Sequence, residues 1–330
     1  MTTIVTEPSV RSARLRWASR LLQLLLLALI AWGIIRAVAP HTEGFSWTAV
    51  ADARPAPGRL SLSTILLVIV YVAHALLWRR IMRDLAVGQP STAATIRIYF
   101  LASLGRYVPG KVWQLAGLAL LSKRAGLPAV GATASALLGQ FAFLATGCLF
   151  LALMLPRWAE GTTARIAGIL LVVLAGLGWL VIATPAGGRA RAWLRARAGS
   201  IGGEQFTTAL DLAERIRARD AILWGVWYGL TWALLGLAFT LFVTAFVPGA
   251  AADSRQIAGV VAASYLAGYL VLLAPAGIGV REGAMTGLLT AIPAIPLSAA
   301  VMIAVVSRIW FTAAELLPLA VIPFTNRNTA

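Results

Sequence analysis

A single cysteine, Cys148, stands among the 330 residues. One thiol excludes an intramolecular disulfide, and its apolar surroundings mark it as a small buried hydrophobe. Only two histidines occur, His41 and His74, so a histidine-rich metal site cannot be assembled. Charge is scarce: 12% of residues are charged, against about 25% in an average soluble domain. Acidic residues are the rarer sign, 12 Asp and Glu against 28 Lys and Arg. P-loop, zinc-helix and nucleophile-elbow patterns are missing. Gly277-Ile278-Gly279 lacks the third glycine and the preceding strand of a dinucleotide fingerprint. Neither a cofactor nor an enzyme activity is expected.

What is abundant is apolar: 60% of residues are hydrophobic and the mean hydropathy is +0.84. That composition predicts an all-α polytopic membrane protein, because lipid leaves no partner for open backbone groups. The net charge of +16 raises nucleic acid as a partner. Nucleic acid is rejected, because the arginines flank apolar spans, where they set topology and meet anionic headgroups. Membrane lipids are the expected partners. A lipid-modifying enzyme partner and self-association stay open.

In chain order, residues 1–20 form a basic N-terminus with Arg11, Arg14, Arg16 and Arg20. Trp17 to Ile35 reads as a retained first span, since Pro40 disfavours signal cleavage after Ala39. Leu62 to Trp78 is the second span. An apolar stretch from Thr92 to Leu121 is then broken at Pro109-Gly110. Its second arm, Lys111 to Leu121, extends about 17 Å as a helix, short of a hydrocarbon core of about 30 Å. A re-entrant hairpin is therefore expected. Val130 to Leu155 and Ile166 to Ile182 are further spans. A basic loop over 187–220 follows, with a short amphipathic surface helix at Ala209 to Arg217. Ala221 to Phe246 is the fifth span. Ile257 to Leu273 and Arg281 to Ala291 are the arms of a second hairpin. Leu297 to Phe324 is the last span, before a tail at 325–330.

Charge placement sets the orientation. With both termini and the basic loop in the cytoplasm, 18 Lys and Arg lie inside and 5 outside. The expected fold is about six transmembrane helices plus two re-entrant hairpins in a bacterial-type cell membrane. Each half then runs span, span, hairpin, span. Three crossings per half invert the second repeat, 166–324, relative to the first, 21–155.

Paired interruptions of this kind point to a transporter site. At the first, Arg106, Tyr107, Gly110 and Lys111 place cations and free backbone N–H groups at membrane depth, which suits a phosphate. Snorkelling of Arg106 and Lys111 to the headgroups is the plain alternative. At the second, Gly277, Gly279, Arg281 and Glu282 repeat the device. Glu282 has Arg106 and Arg308 as potential partners. Arg308 and Glu315, seven residues apart on the last span, are secondary candidates, as site groups or as interhelical ties. Gln114, Gln140, Ser264 and Tyr265 read as interhelical hydrogen-bonding groups, and His74 as a packed or bonded histidine. No metal ligands are expected. The two hairpin tips are expected to meet around one phosphate-sized cavity, with Glu282 holding a cation when it is empty.

Three strings, Arg106-Tyr107-Val108-Pro109-Gly110-Lys111-Val112-Trp113, Ser122-Lys123-Arg124-Ala125-Gly126-Leu127-Pro128 and Pro275-Ala276-Gly277-Ile278-Gly279-Val280-Arg281-Glu282, together resemble the lysylphosphatidylglycerol synthase transmembrane-region family. These are flippase-like integral membrane proteins, and the resemblance covers about Leu21 to Phe324. It implies movement of an anionic phospholipid or a lipid-linked substrate, such as a polyprenyl-phosphate, glycolipid or aminoacyl-lipid, between leaflets. Nothing after Phe324 has the length of the family's aminoacyltransferase region, so transport without synthase activity is the expectation. Assistance to a glycosyltransferase-like enzyme, and a membrane scaffold, are the alternatives.

Overall fold

A computed structural model describes residues 54–107, 112–154, 162–183, 203–270 and 279–321, with a few positions between 188 and 196. The predicted first span, both hairpin tips with Gly110, Lys111 and Gly277, and the C-terminal tail lie outside these residues.

The described residues form ten α-helices and no strand. In order they are α1 (Pro57–Asp84), α2 (Thr92–Ser103), α3 (Val112–Arg124), α4 (Ala129–Met154), α5 (Thr162–Ala183), α6 (Gly203–Ala213), α7 (Ala218–Phe246), α8 (Ser254–Leu270), α9 (Val280–Thr290) and α10 (Leu297–Val321). Four of them, α1, α4, α7 and α10, are long and apolar enough to cross a membrane. Their outer faces carry bare Ile65, Ile69, Leu153, Ile222, Leu230 and Ile309. α5 turns Ile169, Leu170, Leu174 and Leu177 outward in the same way. Apolar exposure on that scale marks a surface that meets lipid rather than water. The chain is thus a multi-pass membrane protein.

Local sequence sets the helix starts. Pro57 opens α1 at the first turn, where a missing N–H is harmless. Ser91 caps α2 by accepting from the Ala94 N–H at 3.2 Å. α9 begins after Gly279, whose φ of 86° favours glycine.

α7 is the central post, and α1 runs antiparallel to it along its length. Trp224 Nε1 donates to Asp84 Oδ2 at one end (3.0 Å). His74 Nε2 meets Thr231 Oγ1 midway (3.1 Å), and Arg59 Nη1 donates to the Thr244 carbonyl at the other end (2.9 Å). α4 lies parallel to α7, with Gly139 under Tyr228 and Gly147 under Trp232. A Cβ on Gly147 would stand 2.5 Å from the Trp232 ring. Lipid offers little hydrophobic drive between helices, so small residues that allow close approach set the contacts. Trp232 Nε1 donates to the Phe143 carbonyl (2.9 Å), Trp310 Nε1 to Thr64 Oγ1 (3.1 Å) and Trp78 Nε1 to the Ala132 carbonyl (3.0 Å). Each crosses between helices. An unmet buried donor would cost about 1–3 kcal/mol, so these bonds select one packing.

α2 and α3 fold back on each other. Gly117 lies against Ala102, and Gly105 lies against the backbone of Trp113 and Gln114. Residue numbers rise on one arm as they fall on the other, which defines an antiparallel hairpin. Between the arms, Leu104–Tyr107 tightens into a 3-10 turn. The second arm, 13 residues, spans about 20 Å. α8 and α9 pack as the second pair. Contacts cross between halves: α2 packs on α10, and α8 on α4.

α6 departs from the expected surface helix. It starts six residues earlier, at Gly203, and ends at Ala213. Ala209, Leu212 and Ala213 are buried in the main core, and α6 packs on α4. Its apolar stripe faces protein.

Candidate functional site

The two broken segments bring their charged residues to α10. Arg106, in the 3-10 turn that ends the first arm, places Nη2 3.1 Å from Glu315. Its Nε donates to the Ser103 carbonyl at 3.1 Å. Ser103 Oγ donates to the same Glu315 carboxylate. The Glu315 side chain is 3% exposed and that of Arg106 31%. The carboxylate is the dry partner, and the arginine reaches it from a wetter place.

At the second segment, Glu282 stands in the first turn of α9. One carboxylate oxygen accepts from the Gly279 N–H at 2.7 Å, capping the helix. The other accepts from Arg308 Nε on α10. Side chains of this pair are 11% and 9% exposed. Of the partners open to Glu282 in the sequence, Arg308 is the one the fold selects. Arg106 goes to Glu315.

Arg281 is bound differently. Its guanidinium lies over the Phe311 ring, 4.1 Å from the centroid, and 5.4 Å from the Tyr265 centroid. Its Nη2 is buried, and among the described residues it has no hydrogen-bond acceptor. Cation–π attraction orients a charge without neutralising it.

Arg308, Phe311 and Glu315 lie at i, i+3 and i+7, so they share one face of α10. Seven residues separate the two ion pairs by about 10 Å along the axis. α10 is therefore the element both hairpins hold. The fold thus ties the cations to a helix between the hairpins. How the tips approach each other lies outside the described residues.

The other candidates fall variously. Gly279 donates its N–H to Glu282 and begins α9. Tyr107 ends the 3-10 turn, and its side chain lies outside the described part, as do Gly110, Lys111 and Gly277. Ser264 bonds the Val261 carbonyl in its own helix instead of a neighbour. Gln140 Nε2 is buried with no partner among the described residues. His74 is packed edge-on against Phe143 (4.7 Å between centroids) as well as bonded to Thr231. Tyr265 faces Arg281 and crosses the Phe143 ring edge-on at 5.4 Å.

Sequence reasoning missed Ser103 and Phe311. Ser103 carries no signal beyond lying three residues before Arg106. Phe311 was findable as the residue one turn after Arg308. Among the described residues no group of three metal-ligating side chains occurs. No family model, curated protein or solved structure matches this chain.

Proposed function

We propose that this protein is a lipid flippase of the kind the lysylphosphatidylglycerol synthase transmembrane-region family represents, taking an anionic phospholipid or lipid-linked headgroup across the bilayer. One observation carries the reading: three arginines and two glutamates, drawn from both broken segments and α10, meet inside an otherwise apolar bundle. Ionisable groups at membrane depth are expensive and mark substrate or ion paths. A purely mechanical tie would need no third cation, yet Arg281 is held there on aromatic faces. Glu282 and Glu315 keep Arg308 and Arg106 in place while the site is empty. An incoming phosphate competes with the carboxylates for those cations, loosening α10 from one hairpin.

The architecture proposed for this transport is six spans and two re-entrant hairpins in inverted repeats, with both termini cytoplasmic. Packing supports it. Exchanging α1 with α7, α4 with α10, and the first hairpin with the second turns each contact among these helices into another observed contact. α1 on α10 becomes α7 on α4, and α2 on α10 becomes α8 on α4. α1 and α7 are antiparallel, as inverted equivalents must be. Short hairpin arms beside four long helices fit re-entry.

The test is leaflet exchange of fluorescent phosphatidylglycerol by the full chain in vesicles, read by dithionite quenching. Wild type should accelerate exchange over protein-free vesicles. Glu282→Gln should slow it with folding retained, and Arg281→Ala should do at least as much damage. Arg54→Ala, away from the site, should exchange normally. Undiminished exchange with all the site arginines and glutamates neutralised in a normally folded protein defeats the reading.

A further inference from the structure

We infer that Arg281 is the residue that takes the ligand's charge, and that the ligand is a single-charge phosphodiester with an apolar body. This rests on the flippase reading for its context, and deepens it by separating the arginines into two roles. Arg106 is matched by Glu315 and Arg308 by Glu282. Each of these is an arginine whose own carboxylate ties a hairpin to α10 until a phosphate first taken by Arg281 competes for it. Arg281 has no carboxylate partner among the described residues. Its neighbour Glu282 is turned away to Arg308 and the Gly279 N–H. Its guanidinium is instead laid on Phe311 at 4.1 Å and faces Tyr265 at 5.4 Å, with Nη2 buried and without an acceptor among the described residues.

A buried cation without a carboxylate bonded to it is costly, and an arriving anion removes that cost. The planar guanidinium is already oriented by the rings, so little freedom is lost when its N–H fork meets two phosphate oxygens. Charge sets the ligand class. Three arginines against two glutamates leave one positive charge in the described cluster. A phosphodiester neutralises it, whereas a doubly charged phosphomonoester leaves a buried negative excess. The same rings that hold Arg281 supply an apolar wall beside the phosphate. A free inorganic ion makes no use of it, and an acylated glycerol does.

The experiment measures thermal unfolding of the full chain in neutral detergent against added phosphatidylglycerol, phosphatidylcholine, phosphatidic acid and deacylated glycerophosphoglycerol. Ligand that binds only the folded state raises the midpoint. Phosphatidylglycerol should stabilise most, above its deacylated headgroup and above the zwitterionic and doubly charged lipids. Arg281→Gln should weaken its apparent affinity about tenfold or more, the scale of a lost charged hydrogen bond. Arg281→Lys, which keeps charge and loses the planar stack, should fall between. Phe311→Leu keeps the charge and removes one ring, so it should also weaken binding, and it serves if Arg281→Gln fails to fold. Unchanged phosphatidylglycerol affinity in a folded Arg281→Gln or Phe311→Leu protein overturns the assignment. Stronger stabilisation by phosphatidic acid overturns the single-charge claim, and equal stabilisation by glycerophosphoglycerol overturns the lipid body. Arg281-dependent binding without leaflet exchange would sink the flippase reading and leave this one standing. Full exchange by Arg281→Gln would overturn this assignment, and the loss expected of Arg281→Ala with it, while leaving leaflet exchange itself standing.

Discussion

Arg106 and Glu315 form one ion pair, but they do not share its risk equally. Glu315 is 3% exposed at the side chain and Arg106 31%. Arg106→Gln strips a dry carboxylate of that cation, and breaking a buried pair costs about 3–5 kcal/mol. Glu315→Gln leaves a guanidinium that can turn toward headgroups or water, a change nearer the worth of an exposed pair, about 1 kcal/mol. Thermal unfolding in detergent should therefore rank Arg106→Gln well below Glu315→Gln, with the double variant recovering part of the loss. The opposite ranking would show that Arg106 is the partner that depends on the pair. A second residue-scale expectation concerns Gly279. A Cβ there meets nothing within 4 Å among the described residues, so sterics with those neighbours would allow alanine. Its φ of 86° does not, and Gly279→Ala should cost on the order of 1–3 kcal/mol by strain alone.

The first hairpin owes its shape to a close approach. A Cβ on Gly105 would lie 2.7 Å from the backbone of both Trp113 and Gln114, which no rotamer change relieves. Gly105→Ala must therefore part α2 from α3 and move Arg106, one residue away, off Glu315. Gly147→Ala meets the Trp232 ring at 2.5 Å and overpacks α4 against α7, at about 1–3 kcal/mol. Gly229→Ala, with nothing within 4 Å among the described residues in the middle of α7, should be neutral or gain up to about 1 kcal/mol of helix propensity. Unfolding midpoints of the three variants decide this. A tolerated Gly105→Ala would mean that the hairpin does not need its tight arm contact. α6 belongs to the same scale. Its period announced an amphipathic helix, but periodicity is silent about whether an apolar stripe meets lipid or protein, and Ala209, Leu212 and Ala213 went to the core.

Across the whole molecule, Trp224 joins the end of α1 to the start of α7, and Arg59 joins their opposite ends. Arg83 and Arg219 therefore belong to one side of the membrane, and Gly58 and Ala252 to the other. In a Cys148→Ser background, single cysteines at these four positions should react with an impermeant maleimide in those two groups. On the proposed orientation, which follows the general bias of Lys and Arg to the cytoplasmic side, intact cells should label Gly58→Cys and Ala252→Cys. Labelling of Arg219→Cys and Ala252→Cys from the same side would remove the α7 crossing and the inverted repeat with it.

Composition and run length by themselves determined the class of protein and the places of its four long helices. Lipid admits few structures, so Leu62 to Trp78, Val130 to Leu155, Ala221 to Phe246 and the last span were legible from hydropathy, and α1, α4, α7 and α10 contain or closely match them. The breaks were legible too, because Pro-Gly and Gly-x-Gly inside apolar sequence have few other uses. Charged residues at depth could be picked out one by one: Arg106, Arg281, Glu282, Arg308 and Glu315. Their partners could not. Glu282 had two arginines open to it, and the choice of Arg308 depended on how α9 packs on α10. Only the tertiary structure decided that Arg281 stands on aromatic faces while its neighbours are paired, because a charge finds its counter-ion through packing in space and not through spacing along the sequence.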